Sequence, residues 1–122
     1  MSASVVIAVP DLMFQPRISA AVEAQRLEPH VADTQAAAIH EIIESSPALL
    51  VVDLNAAGID AEALIVAARR AGARVLAFGR HTDIEALRAA RQAGADKVVP
   101  RSQLVEELPA LILDCLSRRV WP

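Results

Sequence analysis

Aromatic side chains are nearly missing from this chain, which has two Phe, one Trp and no Tyr although 54% of its residues are hydrophobic. Its core therefore has to be aliphatic, built from Ala, Val, Leu and Ile. Such a composition suits parallel strands buried on both faces between Ala-rich helices. Cysteine is as scarce. Cys115 stands alone, which excludes an internal disulfide and a multi-cysteine metal site. Its run, Leu111-Ile112-Leu113-Asp114-Cys115-Leu116, reads as the buried side of a helix. No apolar stretch approaches the roughly 20 residues that span a bilayer, and no basic segment followed by an apolar run and cleavage site opens the chain. The cytosol is the expected location and no membrane partner is expected. An excess of positive charge is absent too: the formal net charge is −3. Arg69, Arg70, Arg88 and Arg91 are scattered along helical segments, with a short cluster at Arg118 and Arg119. Direct binding of nucleic acid, which draws on phosphate-neutralising charge, is not expected.

What is present is a regular alternation. No linker, repeat or low-complexity tract interrupts the 122 residues, so one domain over 1–122 is expected. Short β-branched runs fall at Ser4 to Val9, Ala48 to Asp53, Arg74 to Phe78 and Lys97 to Val99. Pro29 to Ala32 is a weaker run that fits an edge strand, being short and opened by proline. Amphipathic segments lie between them, at Ile18 to Arg26, Thr34 to Glu44, Ala61 to Ala71, Asp83 to Ala93 and about Ser102 to Leu116. Asp33 or Thr34 can cap the second, Gly72 and Gly94 can close the third and fourth, and Ser102 can cap the last. Five strands alternating with five helices predict an α/β fold with an all-parallel sheet. In such sheets ligands gather beyond the C-terminal ends of the strands. That rule points to Pro10-Asp11, Asp53-Leu54-Asn55, Gly79-Arg80 and Pro100-Arg101.

These positions carry a resemblance to the receiver domains of response regulators. The segment Leu49-Leu50-Val51-Val52-Asp53-Leu54-Asn55-Ala56-Ala57-Gly58-Ile59-Asp60 resembles that family's hydrophobic strand, acceptor aspartate and following loop. Gly58 and Asp60 fit the loop, Ile59 replaces Met, and Ala57 stands where proline is usual. Ala93-Gly94-Ala95-Asp96 is similar to the family's stretch before strand five. The resemblance covers essentially the whole chain. It implies a flavodoxin-like sheet of five parallel strands in the order 2-1-3-4-5, with helices on both faces. It further implies nucleophilic chemistry, in which a carboxylate attacks phosphorus and forms an acyl phosphate while Mg²⁺ offsets charge on the phosphoryl oxygens. Asp53 matches the acceptor, Asp11 the direct acidic metal ligand, and the backbone carbonyl of Asn55 the third ligand, an oxygen set that suits Mg²⁺.

The departures are equally definite. The acidic pair after strand one is reduced to Pro10-Asp11. Gly79 replaces the Thr or Ser after strand four, and with it goes a hydroxyl aimed at the phosphoryl group. Arg101 takes the place of the lysine, keeping the charge on a broader planar donor. Val98 stands at the aromatic switch position. Each lost charge-assisted hydrogen bond costs on the order of 1.5–3 kcal/mol. Two or three such losses slow phosphotransfer by about two to four orders of magnitude.

The expected function is a stand-alone, receiver-like signalling module that docks to proteins with weak or no phosphorylation of Asp53. The partner would be a histidine kinase, an output protein or a second copy, met by parts of Asp83 to Leu116. The alternatives are a working phosphoacceptor with Mg²⁺, whose only catalysis is autophosphorylation and autodephosphorylation at Asp53, and a small-anion site in the gap at Gly79 beside Arg80 and Arg101. Asp53 can also be read as the cap of a buried strand, Asp11 as a helix N-cap, and Gly79 as a tight turn. His30, His40 and His81 show no metal-ligand spacing. Trp121 reads either as folded back on the surface or as a partner contact.

Overall fold

Hydrophobic runs and amphipathic segments fold where their periods place them. The computed structural model describes residues 2–117; Arg118, Arg119 and Trp121 lie outside the described residues. The order is β1 (Ser4–Ala8), α1 (Gln15–Ala24), β2 (Glu28–Val31), α2 (Gln35–Ser45), β3 (Leu49–Asp53), α3 (Ala61–Arg70), β4 (Arg74–Gly79), α4 (Ile84–Ala93), β5 (Lys97–Pro100) and α5 (Arg101–Ser117). The five strands form one parallel sheet in the order β2-β1-β3-β4-β5. The proline-bearing run is an edge strand, with Pro29 opposite Val5.

Side chains alternate across a strand, and that alternation divides the core in two. Val5, Ile7, Leu49, Val51, Leu76 and Phe78 pack with Ile18 and Val22 of α1 and with Leu104, Ile112 and Cys115 of α5. Val6, Ala8, Leu50, Val52, Val75 and Ala77 face the other way, onto Ala38, Ile42, Leu64, Ile65, Ala68 and Ala90 of α2, α3 and α4. All of the central strand β3 is buried, which is why its sequence is a continuous apolar run ending in one carboxylate.

Three helices start on short polar caps, with Thr34, Asp60 and Asp83 accepting from the backbone N–H groups of Ala37, Ala63 and Ala86. α1 begins before Ile18, because Phe14 and Asp11 already accept helical-type bonds from Ile18 and Gln15. Pro16 costs nothing in that first turn. It also stops short of Arg26, whose φ of 61° takes the chain out of the helix. α5 starts at Arg101 directly after β5, so Ser102 lies inside its first turn. α5 is bent as well: Glu107 has non-helical φ and ψ, two residues before Pro109. Pro109 lacks an N–H, and its ring crowds the carbonyl four residues back. The bend leaves Leu108, Leu111, Ile112 and Cys115 buried.

The Ala93-Gly94-Ala95-Asp96 stretch has a structural role. Gly94 closes α4 at φ 110°. Asp96 then accepts the Val75 N–H at 2.7 Å and pairs with Arg69 at 3.0 Å, with Arg74 at 3.7 Å. Asp96→Ala removes an ionised acceptor and leaves a buried strand N–H unsatisfied. It is expected to lower stability by about 2 kcal/mol, read as a fall in the urea midpoint at unchanged slope.

Candidate functional site

The strand order sets the position of the site. The chain leaves β1 for α1 on one face and leaves β3 for α3 on the other, so their C-terminal ends border a crevice. Asp11, just past β1, and Asp53, the last residue of β3, face each other there across Arg101 from the first turn of α5. Arg101 Nη2 donates to Asp53 Oδ2 at 3.2 Å, and Nη1 lies 3.8 Å from Asp11 Oδ2. An open pocket of about 310 Å³ is lined by Pro10, Asp11, Asp53, Asn55, Ala56, Ala57 and Arg101. Four sequence-selected residues, Asp11, Asp53, Asn55 and Arg101, thus converge.

The remaining carboxylate oxygens are also engaged. Asp53, only 3% exposed, accepts the Asn55 N–H on Oδ1 at 2.9 Å. Asp11 Oδ1 accepts the N–H groups of Met13 and Phe14 at 2.7 and 3.3 Å, so its capping role and its place in the site coexist on different oxygens. Arg101 also lies over a ring. Its guanidinium carbon lies 4.6 Å from the Phe14 centroid and 5.9 Å from that of Phe78. The two rings meet edge to face at 5.9 Å. Arg101 Nε is buried without a hydrogen-bond partner. The guanidinium is therefore fixed by two carboxylates and an aromatic face.

The region after β4 is closed in a way the sequence does not announce. A Cβ on Gly79 would stand 2.9 Å from Asn55 Oδ1 and 3.3 Å from Leu54 Cβ. The Asn55 carboxamide fills the space beside Gly79: its oxygen accepts the Arg80 N–H at 2.7 Å and its nitrogen donates to Asp83 Oδ2 at 2.8 Å. Asn55 thereby ties the loop after β3 to the cap of α4. Gly79 and Arg80 do not line the pocket that holds Asp53 and Arg101. Asp60, matched by the resemblance to the loop, serves as the α3 cap and also donates its N–H to Gln35 Oε1 at 2.8 Å. His40 and His81 are exposed. His30 sits between Glu28 and Glu41 at 3.0 and 2.9 Å, on the β2 edge.

Phe14 and Asp83 are neighbours of the candidate site that sequence reasoning missed. Phe14 is one of only two Phe in the chain. That rarity, in a loop next to a candidate acid, is the signal that was available. Asp83 was legible as a helix start but not as the partner of Asn55, 28 residues away.

The donor set can be weighed against the divalent cation that this kind of site implies. Among the described residues, no three His, Cys, Asp or Glu side chains are grouped to hold a metal. The two oxygens that would face a cation, Oδ2 of Asp11 and of Asp53, are both turned toward the Arg101 guanidinium. With one monocation already between two carboxylates, this arrangement does not fit a divalent ion.

Five parallel strands in the order 2-1-3-4-5 with helices on both faces are the flavodoxin-like fold of response-regulator receiver domains. Solved structures bear the likeness out over nearly the full length. The signal receiver domain of the response regulator NarL from Mycobacterium tuberculosis superposes with a TM-score of 0.80 at 24% identity, over 97% of this chain and 98% of that one. A response-regulator receiver domain from Bermanella marisrubri gives 0.83 at 18% identity, over 96% and 100%. A two-component response regulator from Clostridium difficile gives 0.83 at 16%, over 96% and 98%. No family model matches the sequence, and no curated protein is significantly similar to it. Among the described residues, no helix is long and apolar enough to cross a membrane.

Proposed function

We propose that this chain is a receiver-like signalling domain, extending over residues 1–122, that acts by docking to a protein partner without depending on phosphorylation of Asp53. The observation that carries the reading is the state of Asp53. Its carboxylate is buried, one oxygen is bound by the Asn55 N–H, and the other is bound by Arg101. A nucleophilic carboxylate must present a lone pair to phosphorus in line with the leaving group, with cationic support for the incoming oxygens. Here each oxygen already accepts one hydrogen bond, the single guanidinium is shared between two carboxylates, and the Asn55 carboxamide stands next to the glycine that takes the place of a hydroxyl. The Asn55 carboxamide also ties the loop after β3 to Arg80 and Asp83 in the loop after β4. The partner is a histidine kinase, an output protein or a second copy, and the cytosol is the compartment that fits such a role.

The test is intact-protein mass spectrometry after incubation with acetyl phosphate or phosphoramidate and Mg²⁺, with a typical receiver treated in parallel. No phosphate-sized gain is expected on the wild type. A gain that disappears in Asp53→Ala would overturn the reading in favour of a working phosphoacceptor.

A further inference from the structure

We infer that Arg101 is a built-in counter-cation: its guanidinium takes the position between Asp11 and Asp53 that a divalent ion would occupy, and its removal turns the crevice into a divalent-cation site. The inference rests on the docking reading of the same site and goes beyond it, because it assigns the exclusion of metal to one side chain.

Three observations converge on it. The first is charge. Two carboxylates facing a crevice at the ends of adjacent strands repel each other and need a cation. Arg101 supplies one, at 3.2 Å from Asp53 and 3.8 Å from Asp11. The second is which oxygens it meets. Each aspartate spends Oδ1 on backbone N–H groups and points Oδ2 at Arg101. The backbone thus leaves one oxygen of each side chain for the same guanidinium, Asp11 beside Nη1 and Asp53 beside Nη2. The third is how firmly the guanidinium is held. Its central carbon lies over the Phe14 ring at 4.6 Å from the centroid. A planar guanidinium stacked on a ring is pre-organised and loses little freedom on pairing. A divalent ion would have to displace that group or approach within its field. Hard cations take oxygen ligands and fill remaining positions with water. Two carboxylates in an open pocket of about 310 Å³ meet that requirement once the guanidinium is gone.

The experiment measures Mn²⁺ binding to the full chain, with no phosphodonor present, from the loss of the free-ion electron paramagnetic resonance signal. Wild type, Arg101→Gln and Arg101→Gln with Asp53→Asn are compared, each with a thermal melt to show that it folds. The single variant is expected to bind Mn²⁺ at least fivefold more tightly than wild type, and to melt at a higher temperature with Mn²⁺ than without, because an ion bound only to the folded state stabilises it. The gain should be absent in the double variant. A gain below fivefold, or one that survives Asp53→Asn, overturns the inference. If Arg101→Gln does not fold, Arg101→Met, which also removes the charge and keeps the aliphatic stem, carries the same expectation and the same threshold. Phosphate labelling of the wild type would overturn the docking reading and leaves this binding comparison standing, so the two failures are distinguishable.

Discussion

Phe78→Ala is expected to lower the stability of the folded chain by about 3–5 kcal/mol, the range for truncating a fully buried aromatic side chain. Phe78 is fully buried, and in a core otherwise made of aliphatic side chains it is the largest one enclosed. It packs among Ile7, Leu76, Leu104 and Ile112, between the sheet and α5. Two of these neighbours, Ile7 and Ile112, are β-branched and stiff at χ1, which limits how they can close a hole. A cavity should therefore persist, which places the expected loss toward the upper part of the range. Domains of this size are stable by about 5–15 kcal/mol in all, so the variant should populate unfolded chain at modest urea. The measurement is the urea midpoint by far-ultraviolet circular dichroism, with the slope unchanged if both states remain as compact as before. A loss below about 2 kcal/mol would mean that α5, bent at Glu107, settles onto the sheet and fills the space. Phe14→Ala provides the contrast. Phe14 is only partly buried, so its removal should cost less stability while freeing the Arg101 guanidinium from the ring it stacks on.

Most of the architecture was legible because its causes are local. Leu49-Leu50-Val51-Val52 could only be a strand buried on both sides, and the structure buries all of it. Asp11 and Asp53 were legible as site residues because both fall at or just beyond the C-terminal ends of strands that the topology makes neighbours. What escaped was side-chain geometry over long separations. The sequence shows Asn55 two residues after Asp53, but it does not show that its carboxamide reaches Asp83 and the Arg80 N–H. Leu12-Met13-Phe14 has no period from which the stacking of Phe14 under Arg101 could be read. The bend in α5 is different in kind, since Pro109 stood in plain view inside the expected helix and a proline there demands a break. Gly79 is a further case: its lack of a side chain was visible, whereas the group that occupies the space was not.

Removing the two partners of the central ion pair should have unequal consequences. Arg101→Ala leaves Asp53 buried, with a single backbone hydrogen bond on its carboxylate. Breaking a buried pair from one side costs about 3–5 kcal/mol. Because the Arg101 side chain is 37% exposed, water already screens part of the pair, and a loss of about 2–3 kcal/mol is the better expectation. Asp53→Asn is expected to cost much less. Arg101 retains Asp11 and the ring of Phe14 and can reach water, while Asn keeps an acceptor for the Asn55 N–H. The decisive comparison is the double variant. If burial of an unpaired carboxylate is the cause, adding Asp53→Asn to Arg101→Ala should raise stability, although the same change lowers it slightly in the wild type. That reversal of sign is a coupling of about 1–3 kcal/mol between residues in contact, measurable by urea unfolding of the four proteins in the presence of EDTA, so that no metal ion stands in for the arginine. Additive effects would show that Arg101 and Asp53 are independent, and that the guanidinium is held by Phe14 and Asp11 alone. A reversal would show that the buried aspartate closing β3 is tolerated there because the Arg101 guanidinium pairs with it, so that the two side chains act as one unit in the proposed docking domain.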